Sequence, residues 1–224
     1  MLYTVLLLLT LIADSLRCDA FRFRKIANYE LKTRLSAFGG LDFFTQSRKA
    51  SKVDVETVKQ EIKDLARGTK NGIQASEEVR ESIKRLVSEL ESANTNSKLT
   101  TSRLMDGDWN LVYTTNEGSS AGKLGPFVGD VVQSVDLDQG DYINFVRLPG
   151  FEGALTASWD VLPKNKWRVK FEQIRFSIFG IKVVEKPLEA IGTWRFTYLD
   201  DDLRILYAAG GKNTVKENIY ILAK

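Results

Sequence analysis

Leu104-Met105-Asp106-Gly107-Asp108-Trp109-Asn110-Leu111-Val112-Tyr113-Thr114-Thr115 is the stretch at which the chain changes its hydrophobic period. Trp109, Leu111 and Tyr113 alternate with Asp108, Asn110 and Val112. An extended strand puts alternate side chains on opposite faces, so these three are expected to face inward together. The period of two then persists downstream. Val131, Gln133, Val135 and Leu137 share one face, and Ile143 and Phe145 follow a turn at Asp138-Gln139-Gly140. Residues 151–161 form a long alternating strand that ends at Pro163-Lys164-Asn165. Trp167, Val169 and Phe171 share a face, but Ile174, Phe176 and Ile178 fall on the opposite parity. A slip of one residue near Glu172-Gln173 predicts a β-bulge, which bends a strand while keeping its apolar side chains on the core side. Trp194, Phe196 and Tyr198, then Leu203, Ile205 and Tyr207, then residues 218–222 complete about eight strands. Short strands joined by tight turns predict an antiparallel barrel or sandwich. Eight strands closing on themselves leave room for side chains or one small ligand.

Upstream of residue 104 the period is helical. Val55, Val58, Ile62 and Leu65 recur at steps of three and four, with Ser51 placed to cap and Asp54 to close a capping box. Gly68 is positioned as a left-handed stop, and Asn71-Gly72 reads as a turn. A second helix is predicted from Ser76, with Glu77 and Glu78 at its positive end and Val79, Ile83, Leu86, Val87 and Leu90 along one face. Residues 91–101 are polar, have no period and read as a linker. Each amphipathic helix needs a cover for its stripe: the following domain, a partner protein or a lipid surface.

The beginning of the chain reads as an address. Residues 2–13 are an apolar run too short for a bilayer span, and Cys18 and Ala20 are small residues placed for cleavage before Phe21. Residues 21–50 carry seven basic side chains against Glu30 and Asp42. That accounts for more than the whole net charge of +3, so residues 51–224 show no basic footprint for nucleic acid. The expected organisation is a signal peptide over 1–20, a transit-like segment over 21–50, a helical region over 51–103 and a barrel over 104–224. A signal peptide followed by a transit segment beginning with Phe resembles the two-part presequences of algae with secondary plastids, and implies import into such a plastid. The 224 residues contain no histidine and only Cys18. A chain cut after residue 20 therefore has no imidazole base, thiol nucleophile, disulfide or Cys/His metal site, and no cofactor is expected.

Three blocks carry a resemblance: Asn71-Gly72-Ile73-Gln74-Ala75-Ser76 with Leu86-Val87-Ser88-Glu89-Leu90-Glu91, the stretch 104–115, and Gly192-Thr193-Trp194 through Ile205. In this order the chain resembles the plastid-lipid-associated protein (fibrillin) family over roughly residues 54–223. The weight lies in the long strings. Gly-x-Trp alone, at Gly107 and Gly192, is weak evidence in a chain with 16 glycines and 4 tryptophans. The resemblance implies an α+β protein, two amphipathic helices followed by an antiparallel lipocalin-like barrel, associated with prenylquinones, carotenoids, plastoglobules or thylakoids.

The residue reading supplies candidates for such binding. Trp109, Leu111, Tyr113, Phe145, Phe171, Phe176, Trp194 and Phe196 are the expected apolar wall, and Gln133, Tyr198 and Arg204 the expected polar groups. Residues 118–129 form a Gly-rich connection suited to a lid or a flexible link. Asp200-Asp201-Asp202 lies between two predicted strands, where acidic side chains point into water. Glu152, Glu172, Glu185 and Glu189 have no acid/base spacing, and there is no phosphate loop. Non-catalytic lipid binding is the expectation. The alternatives are a scaffold for a prenylquinone-pathway enzyme, docking through the helices, and a carboxylate-based lipid enzyme.

Overall fold

The computed structural model describes residues 54–210 and 216–224. The proposed presequence, Ser51 and the polar turn from Gly211 lie outside the described residues. Helix α1 (Val55–Ala66) begins at Asp54, whose carboxylate accepts from the Thr57 backbone and hydroxyl. Asp54, expected to close a capping box, is thus itself the cap. Arg67 and Gly68 (φ +77°) end the helix. Helix α2 (Glu77–Ala93) is capped by Ser76, which accepts from the Val79 N–H.

Ten strands follow among the described residues: β1 (Gly107–Thr114), β2 (Lys123–Leu124), β3 (Phe127–Val128), β4 (Asp130–Asp136), β5 (Asp141–Leu148), β6 (Phe151–Leu162), β7 (Lys166–Ile178), β8 (Ile181–Leu199), β9 (Leu203–Gly210) and β10 (Asn218–Ala223). Eight of them close an antiparallel barrel in the order β1-β10-β9-β8-β7-β6-β5-β4, and β2–β3 is a separate hairpin. Closure leaves the barrel no exposed sheet edge.

Both helices lie on the outside of the barrel. Val58, Ile62, Ile83, Leu86, Val87 and Leu90 are buried against the outer faces of β1, β9 and β10, on Leu203, Ile205, Ile221 and Ala223. The barrel is what covers the stripes. Charge fastens this packing: the buried Lys59 ammonium pairs with Asp200 at 2.9 Å and Glu56 at 2.7 Å, and Lys63 pairs with Asp202 at 2.7 Å. Asp200 and Asp202 thus tie α1 to the β8–β9 turn instead of facing water as expected. Burial opposes the Asp200 charge. Hydrogen bonds from Tyr198, Lys59 and the Leu203 and Asp202 N–H groups outweigh it and hold the carboxyl below its usual range.

Three bulges decide which side chains enter the barrel. Glu172 is the extra residue in β7, at the predicted slip. Two others, between Leu111 and Tyr113 in β1 and between Phe196 and Tyr198 in β8, have no counterpart in the sequence reading. Each turns a tyrosine outward, so Tyr113 and Tyr198 pack under the helices. The expected alternation fails there because the helices make both faces of these strands apolar, and no change of parity is visible.

The segment 91–101 also departs from its reading as a linker. The helix continues to Ala93, and the connection to β1 then inserts Leu99 and Met105 into one end of the barrel. The Trp109 indole N–H donates to the Met105 carbonyl at 2.9 Å, and the Trp167 indole N–H donates to the Thr100 carbonyl at 3.2 Å. These bonds satisfy two buried polar groups and hold the plug in place.

Candidate functional site

The plugged end is solid. Trp109, Trp167 and Arg204 are all 0% exposed there, together with Phe196, Leu99 and Met105. Trp167 packs edge-on against Phe196 at 4.8 Å and stacks on Trp159 at 4.5 Å. The Arg204 guanidinium lies 4.8 Å above the Trp109 ring and donates to Gln133 Oε1 at 2.7 Å and Met105 Sδ at 3.0 Å. Burial pushes it down to about 9, still high enough to keep it charged at neutral pH.

The other half is hollow. A cavity of about 250 Å³ is lined by Leu155, Phe171, Ile174, Phe176 and Leu188, with Asn144, Ser119 and Ser120 as polar groups. A second compartment of about 170 Å³ lies beside it and shares Ser120, Asn144, Leu155 and Phe171. Its remaining wall includes Gln133, Tyr142, Trp194, Leu206 and Tyr220. None of these lining side chains is a carboxylate. Burial pushes the Tyr220 hydroxyl up to about 12 and raises Tyr142 further, so both stay neutral.

The candidates divide accordingly. Gln133, Phe171, Phe176 and Trp194 line the hollow half. Trp109, Leu111, Phe196 and Arg204 are interior but belong to the packed core rather than to the cavity lining. Tyr113 and Tyr198 are outside, under the helices. Phe145 is also outside, half-buried beneath the Arg147 guanidinium at 4.6 Å. On β5 the inward residues are Tyr142, Asn144 and Val146. Choosing the purely apolar face picked the wrong parity because the true inner face carries an asparagine. Asn144 and Tyr142 were missed for that reason. Ile174 was available from the slip at Glu172.

Residues 118–129 fold as a cover for the mouth. A turn at Ser119–Ala121 leads into the β2–β3 hairpin, and Leu124 packs down onto the interior clusters. Asn71 holds the base of this cover: its amide donates to the Ala121 and Gly129 carbonyls at 3.0 Å each, and its own carbonyl accepts from the Thr114 N–H at 3.0 Å. Gly72 has φ +95° and lies so close to Thr114 that a Cβ would overlap its carbonyl. The Asn71-Gly72 turn therefore clamps the helices, β1 and the cover together.

Around the mouth, apolar side chains face solvent. Phe179 is 82% and Ile181 70% exposed at the β7–β8 turn, with Phe127 on the cover. Arg147, Arg175 and Lys182 lie among them, Arg147 paired with Glu152 and Lys182 with Glu185. The carboxylates weighed for catalysis are on the outer surface. Glu172 accepts from Ser158, and Glu152, Glu185 and Asp200 are in the pairs already described.

Known proteins share this chain's sequence to a measurable degree. It is 29% identical over 146 residues to the light-induced protein, chloroplastic, of Solanum demissum, a match covering 60% of this chain and 44% of that one. It is 22% identical over 271 residues to the chromoplast-specific carotenoid-associated protein C1 of an Oncidium hybrid cultivar, covering 92% and 82%. With plastoglobulin-1 of Pisum sativum it shares 28% over 130 residues, 54% of this chain and 36% of that protein. The chain spans less than half the length of the first of these relatives. Residues 56–216, which hold nearly all of both helices, seven of the eight barrel strands (β10 lies beyond) and the lined cavity except its β10 contribution, match the PAP_fibrillin family, and the chain belongs to that family.

Proposed function

We propose that this protein binds hydrophobic plastid lipids without catalysis, drawing the apolar part of a prenylquinone or carotenoid into the hollow half of the barrel at a plastoglobule or thylakoid surface. The observation that carries this reading is the asymmetric interior: one end packed solid, the other an apolar space beneath a cover. The relatives' names, which speak of carotenoid association and plastoglobules, support it. Plastid import through residues 1–20 and 21–50 belongs to the same proposal. Burial of an isoprenoid tail contributes ~0.8 kcal/mol per CH₂, so affinity needs no special chemistry. The compartments of about 250 and 170 Å³ are smaller than most small-molecule sites. They suit a ring or a chain end, with the remainder of a long lipid left at the mouth.

Titration with a short-chain prenylquinone, read by tryptophan quenching and melting temperature, tests the interior reading. The wild-type protein should respond in both signals. Phe176→Glu, which puts a charge in the cavity wall, should abolish both. Equal quenching in the variant would move binding to the surface. A second reading has its own observation, the exposed Phe179, Ile181 and Phe127, which suit insertion into a lipid monolayer. In that reading droplets recruit the protein while free lipid changes nothing. Among the described residues the barrel covers the apolar stripes of the helices, which weighs against a scaffold docking through them.

A further inference from the structure

We infer that the floor of the hollow half is a hydrogen-bond donor site, in which the amide nitrogens of Gln133 and Asn144 take an acceptor oxygen of the ligand's head group, a carboxylate or a quinone-type carbonyl. This rests on the interior-binding reading and adds the chemistry of the buried end.

Gln133 on β4 and Asn144 on β5 are directly paired across the two strands. Side chains so placed on one face are about 5 Å apart at Cβ, close enough to address one ligand atom. Both line the second compartment. The orientation of the Gln133 amide is decided by Arg204. A guanidinium carries only donors, so the glutamine must offer it Oε1, as the 2.7 Å contact shows. Its nitrogen is then the end left for the cavity. Asn144 repeats the arrangement: the Tyr142 hydroxyl donates to its Oδ1 at 3.3 Å, which leaves its NH₂ group free. Two neighbouring amides thus have their acceptors occupied from behind and their donors toward the space.

The local charge has the same sense. Arg204 is fully buried and is paired with no carboxylate among the described residues, and its Nε has no hydrogen-bond partner there. A buried cation so placed makes the floor electropositive, and it favours a polarised or negative atom just beyond Gln133. Arg204 acts here as a positioning residue and a source of field, not as a contact. The walls above, Leu155, Phe171 and Trp194, take the tail.

The test is a series of ligands with one common branched tail, ending in a carboxylic acid, a methyl ketone, a primary ammonium or a plain methyl group. Binding is measured by displacement of an apolar fluorescent probe. The acid and the ketone should bind roughly tenfold or more tighter than the methyl-ended compound, and the ammonium weaker than it. A stronger acid than ketone identifies an anionic head; equal affinities identify a neutral carbonyl. Gln133→Glu keeps an oxygen on Arg204 but replaces the donor by an acceptor. It should fold normally, still bind the methyl-ended compound, and lose the advantage of the acid. Gln133→Leu should remove most of the ketone's advantage over the methyl-ended compound, while the Arg204 charge still disfavours the ammonium. If the methyl-ended compound binds wild type as tightly as the acid and the ketone, or if Gln133→Glu retains the preference, the donor site is refuted while interior binding stands. If no member of the series binds, interior binding and this inference fall together.

Discussion

The two ends of the barrel are built from the same eight strands and the same alternation, yet one end is solid and the other hollow. At the solid end the gap between strands is filled from outside the sheet. Leu99 and Met105, from the connection after α2, enter beneath Trp109 and Trp167, whose indole N–H groups donate to the Met105 and Thr100 carbonyls of the same connection. At the hollow end no such segment enters. The cover rests on top, held by Asn71, and contributes only Leu124 and the small Ser119 and Ser120 to the lining. Alternation therefore says which side chains face inward, but a cavity depends on whether something else fills the space between them.

The largest expected effect separates the two ends directly. Trp109→Ala removes a fully buried indole from the solid end and should lower stability by ~3–5 kcal/mol, measured by urea denaturation. Phe176→Ala, beside an existing cavity, should cost less than half as much. Equal losses would show both ends to be packed alike, and the comparison would fail.

A smaller effect, dependent on pH, belongs to the solid end. The Asp200 carboxyl is held below its unfolded value, so its contribution is fully present above the ordinary carboxylate range. It is lost as the pH falls through the lowered folded value. Acidification through and below the ordinary carboxylate range should loosen α1 from the β8–β9 turn. Asp200→Asn should cost ~1 kcal/mol at neutral pH and flatten this part of the profile. A variant with an unchanged acid limb would show that the Lys59 pair does not hold the helix.

The smallest effect on stability is expected at the rim of the hollow end. Phe179→Ser should change stability by no more than ~0.5 kcal/mol, because the side chain is 82% exposed. Flotation with lipid droplets should nevertheless decrease, several-fold in the double variant with Ile181→Ser. Undiminished flotation would remove the rim from the lipid contact.

Much of this architecture was legible in the residues. The change of period at residue 104, the slip at Glu172 and the stripes of α1 and α2 are local signals, because each is written in neighbours along the chain. The solid plug was not legible. Leu99 and Met105 sit in a polar, aperiodic stretch, and two apolar residues there carry no pattern. The outward turn of Tyr113 and Tyr198 was hidden as well, since strands covered on both faces are apolar at both parities. On β5 the inward Asn144 is hidden beside Phe145, because a polar group inside a barrel runs against the apolar pattern that identifies the inside.

By itself, the sequence determined that two amphipathic helices precede an antiparallel barrel of about eight strands, and that no histidine and only one cysteine are available for chemistry. These follow from periodicity and composition, which act at short range. Only the tertiary structure decided that the helices' stripes are spent on the barrel's own outer wall and that one end is plugged. It also decided that Gln133 and Asn144 meet over a buried guanidinium at the floor of the space that remains. Those outcomes depend on which distant segments fill which gaps, and close packing across the sheet, not pattern along the chain, settles that.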